Sequence, residues 1–301
     1  MQYVLVAGAT GFLGRKVVME LLKNHKKVRA LVRPGSDARS LSLAGVDIVR
    51  GDLLEPDSLV PAMYGIDAVV TTAIGYSRRQ PGDSLKTDDK GNRNLIDAAQ
   101  RAGIQRFVFT SILTCDRATS VPHFHQKFLT EQYLERANIP FVALRPGGFI
   151  DTLLDFNRQD IARGRFRVMA DPDAIASTIH SDDVARYLAQ AVDTPTAVGK
   201  YIDIATQEPT TLREIAQTLS QTSERDIKLQ VVPAMLRATF SAIAGVWSPT
   251  MADNAKAMSY VSSGQYVADI SRQAQLWDVP TLEDSIRRWV KANSDLWTKE
   301  V

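Results

Sequence analysis

The stretch Gly8-Ala9-Thr10-Gly11-Phe12-Leu13-Gly14 follows a short apolar run, residues 3–7, and opens a helical pattern over residues 12–23. Three glycines at this spacing between a strand and a helix predict a turn that cradles a diphosphate. The first glycine would permit a tight turn, the second would let the backbone approach the phosphates, and the third would let the helix pack on the strand. We expect the whole turn to bind a dinucleotide, with Thr10, Phe12 and Leu13 beside the glycines. The alternative is a glycine-rich turn without a ligand.

Apolar runs alternate with helical patterns outward from this turn. They predict strands at residues 3–7, 28–32, 47–49, 68–72, 106–111 and 141–144, and helices at residues 12–23, 95–102 and 128–137. The predicted strands are continuously apolar, which is typical of strands that are buried on both faces of a parallel sheet. The alternation implies crossover connections and therefore an α/β fold with a doubly wound parallel sheet.

The second half of the chain has a less regular pattern. Its predicted strands are residues 201–204 and 228–232, and its helices begin at Ser181, at Thr210 or Thr211, and at Thr281. The segment contains no repeat and no clear linker. We therefore predict a dinucleotide-binding domain at residues 1–150 and a smaller C-terminal α/β substrate lobe at residues 151–301, which is partly interleaved with the first.

The composition is that of a globular protein, with 45% hydrophobic and 23% charged residues. A formal net charge of +2 provides no strong basic field, so we predict no nucleic-acid partner. Cys115 is the single cysteine, which excludes an internal disulfide and a cysteine-based metal cluster, and we expect a buried, inert thiol. The first residues fit a strand better than a signal peptide, and no segment reaches the roughly 18 apolar residues of a membrane span. We expect a cytoplasmic protein without a membrane partner.

The end of the second predicted strand, Leu31-Val32-Arg33-Pro34, indicates which dinucleotide binds. Folds that bind NAD place an acid at this position, where it binds the ribose hydroxyls. Here there is no acid, and the guanidinium of Arg33 can pair with the adenosine 2′-phosphate. Arg15 could contribute to the same pocket. The sequence therefore predicts NADP(H) as the cofactor. The alternative is that Arg33 is a solvated surface charge.

Several segments, in this order, resemble the atypical short-chain dehydrogenase/reductase superfamily and, within it, the NmrA-like and isoflavone-reductase-like group. The segments are Gly8 to Gly14, Val28 to Arg33, Gly51-Asp52-Leu53, Asn94 to Ala99, Arg106 to Ser111, Lys127 with Glu131 and Leu134, Leu144 to Phe149, and Ile179 to Ala185. The resemblance extends from the first strand to about residue 220. It implies a Rossmann-type fold that binds NAD(P)(H).

The resemblance also implies roles at matching positions. Asp52 and Leu53 would flank the adenine, and Thr72, Ala73 and Ile74 would line the path of the ribose and nicotinamide. Lys127 would hold the nicotinamide ribose. A further group would border the nicotinamide, with its last member facing the substrate: Pro146, Gly148 and Phe149. The C-terminal lobe would supply most of the pocket for a small-molecule substrate.

The catalytic pattern departs from that of typical short-chain dehydrogenases, which pair a tyrosine with a lysine four residues later. Here His123 stands four residues before Lys127, and the tyrosine is absent. The resemblance favours Lys127 as the first catalytic residue and places Ser111 at the end of the fifth strand. His123 or His125 is the candidate proton donor, because imidazole titrates near neutrality. The alternative is that both histidines are polar residues at the start of a helix. No acid partner is evident for a metal, so we predict none.

Residues outside these segments could also contribute to a pocket. Trp247, Met251 and Met258 would line an apolar pocket or pack in a core. Tyr76, in the segment after the fourth strand, is a further candidate. Arg78 and Arg79 nearby would order a loop over the cofactor or stay solvated.

Three functions fit these features. The first is an NADPH-dependent reductase of a small apolar carbonyl, quinone or conjugated substrate. The second is a non-catalytic NADP(H)-binding regulator, redox sensor or assembly factor, which the missing tyrosine favours. The third is a sugar-nucleotide epimerase or dehydratase, against which the missing tyrosine and Arg33 both argue. We predict the reductase and keep the regulator as the alternative, and we leave open a homodimer or a protein partner.

Overall fold

A computed structural model of the protein describes residues 2–75, 84–232 and 249–297. The strands are β1 (Tyr3–Ala7), β2 (Lys27–Val32), β3 (Asp47–Arg50), β4 (Ala68–Thr71), β5 (Arg106–Thr110), β6 (Phe141–Pro146), β7 (Gly148–Phe149), β8 (Arg165–Val168), β9 (Thr178–Ile179), β10 (Lys200–Ile204) and β11 (Lys228–Val231). The helices are α1 (Phe12–Lys23), α2 (Arg39–Leu43), α3 (Asn92–Arg101), α4 (Pro122–Arg136), α5 (Ile150–Phe156), α6 (Arg158–Ala162), α7 (Ser181–Ala191), α8 (Leu212–Ser223), α9 (Pro249–Ser262), α10 (Ser271–Leu276) and α11 (Leu282–Ala292). A π-helix, Ser84–Gly91, leads directly into α3.

Seven strands form one sheet in the order β10-β6-β5-β4-β1-β2-β3. The strand β1 pairs in parallel with β2 on one side and with β4 on the other, so that Val4 lies opposite Val28 and Ala68. All four residues of β4 are buried, as continuously apolar strands require. The chain order reverses between β1 and β4, and the carboxyl ends of strands beside such a reversal form the crevice in which α/β sheets bind ligands. The predicted doubly wound parallel sheet is confirmed.

The chain divides into two compact units. The sheet unit consists of residues 1–145 and 182–202, and the second unit consists of residues 146–181 and 203–301. The predicted division into domains at residue 150 stays a prediction; the chain first passes from one unit to the other after residue 145. The interleaving arises because α7 and the start of β10 return to the sheet unit.

The second unit has its own hydrophobic core. Helices α5, α8 and α11 contribute Leu154, Leu219 and Ile286 to it, and β8 contributes Phe166. Two short parallel pairs, β8 with β11 and β7 with β9, complete the unit. Its helices begin where their capping residues predict. The Thr211 hydroxyl and the Glu214 side chain form a capping box at the start of α8, and the Thr281 hydroxyl accepts the Asp284 N–H at the start of α11.

Two helices begin earlier than predicted. Helix α4 starts at Pro122 rather than at residue 128, because proline fits the first turn of a helix and needs no N–H partner there. The polar residues of that turn hide the apolar periodicity on which the prediction relied. Helix α3 starts at Asn92, at the end of the π-helix.

Candidate functional site

The glycine turn between β1 and α1 has the close contacts that only glycine permits. Gly8 has a φ of +83°, and a Cβ atom there would lie 2.8 Å from Oγ1 of Thr72. A Cβ atom at Gly14 would lie 2.0 Å from the carbonyl oxygen of Gly8. The hydroxyl of Thr72 lies 3.3 Å from the carbonyl oxygen of Ala7, to which it donates, so the end of β4 is held against the turn. The turn therefore keeps this close packing only with glycine at these two positions.

The N-terminus of α1 has no acidic residue in its first turn, and Gly11 at the N-cap provides no side-chain hydrogen bond. The first N–H groups of the helix therefore keep their capacity to bind an anion, and the helix dipole favours one.

A cavity of about 150 Å³ lies in the sheet unit at the carboxyl ends of the strands. Its walls are Gly8, Thr10, Gly11, Leu31, Arg33, Gly51, Leu53, Thr72, Ala73, Ile74 and Thr87. Eight of these eleven were predicted to bind the cofactor. The other three, Leu31, Gly51 and Thr87, were not predicted as site residues. Gly51 did carry a signal, since it precedes Asp52 in one of the segments that resemble the family.

Eight predicted cofactor residues do not line this cavity: Phe12, Leu13, Gly14 and Asp52, and also Lys127, Pro146, Gly148 and Phe149, which are described below. Phe12 is half exposed, and the Lys16 ammonium lies over its ring. Leu13 is partly buried, and Gly14 is buried against the turn. The Asp52 carboxylate accepts the N–H of Leu54 at 3.0 Å and so shapes the loop after β3.

Arg33 is exposed at the end of β2, where it lines the cavity. Its pairing with a 2′-phosphate stays a prediction. The loop after it is held by Arg50, whose Nη1 donates to the carbonyl oxygens of Arg33 at 3.1 Å and Ser36 at 2.8 Å. Arg15 donates from Nε to the carbonyl oxygen of Thr10 at 3.1 Å, within the glycine turn. These contacts place cationic side chains around the loop that begins with Arg33.

One acid also lies in this loop. Asp37 accepts hydrogen bonds from the guanidinium and backbone N–H of Arg39, and these bonds hold the pKa of its carboxyl below the ordinary value. The charges of Arg15 and Arg50 lower that pKa further. The Asp37 carboxylate is therefore ion-paired with Arg39 and interacts with the charges of Arg15 and Arg50.

Lys127 is buried on α4. Its Nζ donates to the carbonyl oxygen of Thr110 at 3.0 Å, lies 3.7 Å from Oδ1 of Asp88, and stands 4.9 Å from the centre of the Phe109 ring. Burial lowers the pKa of this amine, and the charge of Asp88 opposes that effect. Lys127 thus lies at the carboxyl end of β5 but does not line the cavity, whereas Thr87, next to Asp88, does.

The other predicted catalytic side chains also lie off the cavity wall. Ser111 is buried, with its Oγ 3.6 Å from Sγ of Cys115. Burial raises the pKa of the Cys115 thiol, which agrees with the predicted inert cysteine. His123 is partly buried with its ring edge-on to Phe124 at 4.7 Å. Nδ1 of His125 is buried and has no hydrogen-bond partner among the described residues.

Pro146, Gly148 and Phe149 belong to the second unit. Gly148 and Phe149 line a cavity of about 490 Å³ within that unit. The wall is mostly apolar and includes Leu153, Phe156, Met169, Met258, Val261 and Tyr266. A cavity of this size and lining can hold a small apolar molecule.

Of the residues outside the family-like segments, Met258 lines this second cavity, and Met251 is not among its lining residues. Trp247, Tyr76, Arg78 and Arg79 lie outside the described residues. Within the described part of the chain, no three metal-binding side chains come together. None of the helices in that part has both the length and the apolar character needed to cross a membrane.

The chain is similar to known proteins over most of its length. The model of the NmrA-like family matches residues 1–271. The photosystem II assembly factor Ycf39 of Synechocystis sp. is 32% identical over 238 residues, which cover 78% of this chain and 72% of that protein.

Two solved structures share the fold. Triphenylmethane reductase of Citrobacter sp. has a TM-score of 0.79 at 24% identity, covering 96% of this chain and 99% of that one. NADPH-dependent quinone oxidoreductase QOR2 of Escherichia coli, solved with NADPH, has a TM-score of 0.77 at 24% identity, covering 95% and 99%.

Proposed function

This chain belongs to the NmrA-like family, and on that premise we propose that it is an NADPH-dependent reductase of a small apolar quinone or similarly conjugated acceptor. The observation that carries the proposal is the glycine turn, where Gly8 and Gly14 leave room only for backbone, beside a cavity that Arg33 lines. The match of the NmrA-like family model to residues 1–271 confirms the predicted family, and the reductase activity is what we propose beyond it.

The residues present fit NADP(H). Gly8, Thr10 and Gly11 would hold the diphosphate, with the N-terminus of α1 directed at it. Arg33, with Arg15 nearby in the turn, would pair with the 2′-phosphate. A further set would line the adenosine and the path toward the nicotinamide: Leu53, Thr72, Ala73 and Ile74.

When bound, NADPH supplies a hydride to an electrophilic acceptor. The apolar cavity of the second unit supports an acceptor without charge, because charged groups lose their hydration in such a cavity. Phe149 and Met258 offer it aromatic and thioether surface.

The missing tyrosine favours conjugated acceptors over simple ketones. Reduction of a simple ketone generates an alkoxide, which needs a proton donor at the reacting oxygen. Reduction of a quinone generates a phenolate, which is a much weaker base than an alkoxide because phenols titrate near pH 10. The phenolate can therefore leave the site and take its proton from solvent. The absence of a tyrosine four residues before Lys127 suits the second reaction, which needs no proton donor at the reacting oxygen.

The test is NADPH oxidation with matched acceptors. We expect turnover with substituted quinones and none with saturated ketones of similar size, after NADPH binding has been measured by fluorescence. Binding without oxidation of NADPH by any quinone, azo dye or enone would contradict the reductase.

A second candidate is an NADP(H)-binding assembly factor or regulator. Two observations favour it: Lys127, His123 and Ser111 all lie off the cavity wall, and the relative from Synechocystis is an assembly factor. This function predicts a protein partner that is captured from the source cells only with NADPH, or only without it. Turnover with a quinone and a partner set that ignores the cofactor would decide for the reductase.

A further inference from the structure

Asp88 lies at the centre of a buried network in the sheet unit. Its side chain is almost fully buried, and Oδ1 lies 3.7 Å from Nζ of Lys127. The same oxygen accepts the backbone N–H of Gly75 at 3.2 Å. Gly75 directly follows Thr72, Ala73 and Ile74, which form one wall of the cavity. A single carboxylate therefore contacts both Lys127 and the segment that supports this wall.

The backbone around Asp88 is fixed by two further side chains. The Thr130 hydroxyl donates to the carbonyl oxygen of Asp88 at 2.7 Å. Nδ2 of Asn92 donates to the carbonyl oxygens of Thr87 at 3.0 Å and Asp88 at 3.2 Å. These bonds come from α4 and α3, so the π-helix is held from two sides. Helices of this type are rare and frequently occur at functional sites.

Two adjacent residues of the π-helix have side chains in different surroundings. Thr87 lines the cavity, and Asp88, the next residue, contacts Lys127. The cavity wall and the buried lysine are thereby connected through adjacent residues of the chain.

Other charged groups near Lys127 are already paired. Glu131, one turn further along α4, accepts two hydrogen bonds from Arg145, at 2.9 and 2.6 Å. Asp116 accepts a third from the same guanidinium. The buried Cys115 thiol has a raised pKa and stays neutral. Asp88 is thus the carboxylate that compensates the buried ammonium of Lys127, and a buried charge without such a partner is strongly disfavoured.

We propose that Asp88 is the positioning residue of this site: it keeps Lys127 as a buried ammonium and, through Gly75, holds the Thr72–Ile74 wall of the cavity. The part that concerns the cavity rests on the proposed binding of NADPH. The part that concerns Lys127 does not. Asp88 acts through its neighbours, since it is not among the residues that line the cavity.

The test compares Asp88→Asn with Asp89→Asn. Asp89 is the next residue of the π-helix, and its carboxylate pairs with Nε of Arg93 at 2.5 Å instead of with Lys127. The two substitutions are chemically identical. Lysine side chains are labelled with ¹³C and titrated by NMR, and the Lys127 signal is identified by its loss in Lys127→Arg.

We expect the titration midpoint of Lys127 in Asp88→Asn to fall by about one pH unit or more below that of the parent protein, because the opposite charge is gone. Asp89→Asn should leave the midpoint unchanged. The same midpoint in Asp88→Asn and the parent, or an equal shift in both variants, would overturn the proposal.

The affinity for NADPH tests the second contact. Asp88→Asn should weaken binding about fivefold, because a neutral amide oxygen accepts the Gly75 N–H less strongly than a carboxylate does, and Asp89→Asn should stay within about twofold. Equal affinity in all three proteins would overturn the role of Asp88 in holding the wall. If the parent protein binds no NADPH, the proposed function fails, and the Lys127 titration still decides the ion pair.

A double variant covers the case in which Asp88→Asn does not fold. Lys127→Met with Asp88→Asn removes both charges, and we expect it to fold where Asp88→Asn alone does not, or to unfold at a higher urea concentration if both fold. A double variant that also fails to fold, or that unfolds at a lower urea concentration than Asp88→Asn, would overturn the pairing.

Discussion

A side chain at Gly14 would place its Cβ atom 2.0 Å from the carbonyl oxygen of Gly8, so the first turn of α1 can pack on the end of β1 only without a side chain. The same carbonyl oxygen accepts the N–H of Gly11 at 2.9 Å. The turn is therefore closed by backbone contacts, and its shape depends on the absence of a side chain at Gly8 and Gly14.

Gly14→Ala should destabilise the protein by about 3 kcal/mol or more, because the helix must move away from the strand to admit the methyl group. Gly11→Ala is the matched variant: its Cβ atom would lie 3.2 Å from the same oxygen, and its backbone is in the extended region. It should cost below about 1 kcal/mol. Urea unfolding of both variants measures the difference, and equal losses would contradict the account of the turn.

The pair of Glu131 and Arg145 should contribute much more to stability than an exposed pair of the same geometry. Glu131 is nearly inaccessible, with 2% of its side chain exposed. Glu131→Gln leaves the Arg145 charge only partly compensated, by Asp116, and should cost about 3 kcal/mol.

Asp173→Asn provides the control. Asp173 accepts two bonds from Arg213 at 2.8 and 3.0 Å, but its side chain is 63% exposed. Asp173→Asn should lower the free energy of unfolding by less than about 1 kcal/mol. Calorimetric unfolding compares the two variants, and similar losses would show that burial of the ion pair does not determine its contribution.

Filling the second cavity should block the acceptor and spare the cofactor. Ala170 lines this cavity, and Ala170→Trp would occupy much of its volume. We expect at least about a tenfold rise in KM for a quinone, because the indole would occupy the space in which the quinone buries its apolar surface. The dissociation constant for NADPH should not change.

Ala162→Trp adds the same side chain at the exposed end of α6, away from the cavity lining. Its quinone kinetics should match those of the parent protein. A quinone KM that stays constant in Ala170→Trp would exclude this cavity as the acceptor site.

Much of the sheet unit was predictable because its signals are local. The glycine spacing predicted the turn, and the continuous apolar runs predicted buried parallel strands. Arg33 was predicted to bind the cofactor from its position at a strand end; it lines the cavity, and its binding of the 2′-phosphate stays a prediction. Each of these inferences uses residues that are neighbours in the sequence.

The rest depends on contacts between distant segments. The π-helix, with the sequence Ser-Leu-Lys-Thr-Asp-Asp-Lys-Gly, lacks an apolar periodicity, so nothing local identified Asp88 as the partner of Lys127. A Cβ atom at Gly51 would lie 2.9 Å from Cδ1 of Leu31 on the neighbouring strand and 3.0 Å from the carbonyl oxygen of Ser58, and neither residue is a neighbour of Gly51 in the sequence. Asp37 was not predicted as a neighbour of the arginines because it lies five residues after the end of β2, beyond the position where an acid would bind the ribose.

Arg33→Ala should lower the affinity for NADPH at least about tenfold, since a charge-assisted hydrogen bond to the 2′-phosphate is lost. The affinity for NADH, which lacks this phosphate, should change little. Lys23→Ala removes one exposed positive charge from the other end of α1 and should alter neither affinity.

The most direct measurement is a calorimetric titration of the parent protein and of Arg33→Ala with NADPH and with NADH. The account predicts saturable binding, a preference of about tenfold or more for NADPH in the parent protein, and a ratio near one in Arg33→Ala. Tighter binding of NADH by the parent protein, a preference that survives in Arg33→Ala, or no saturable binding of either dinucleotide would contradict it.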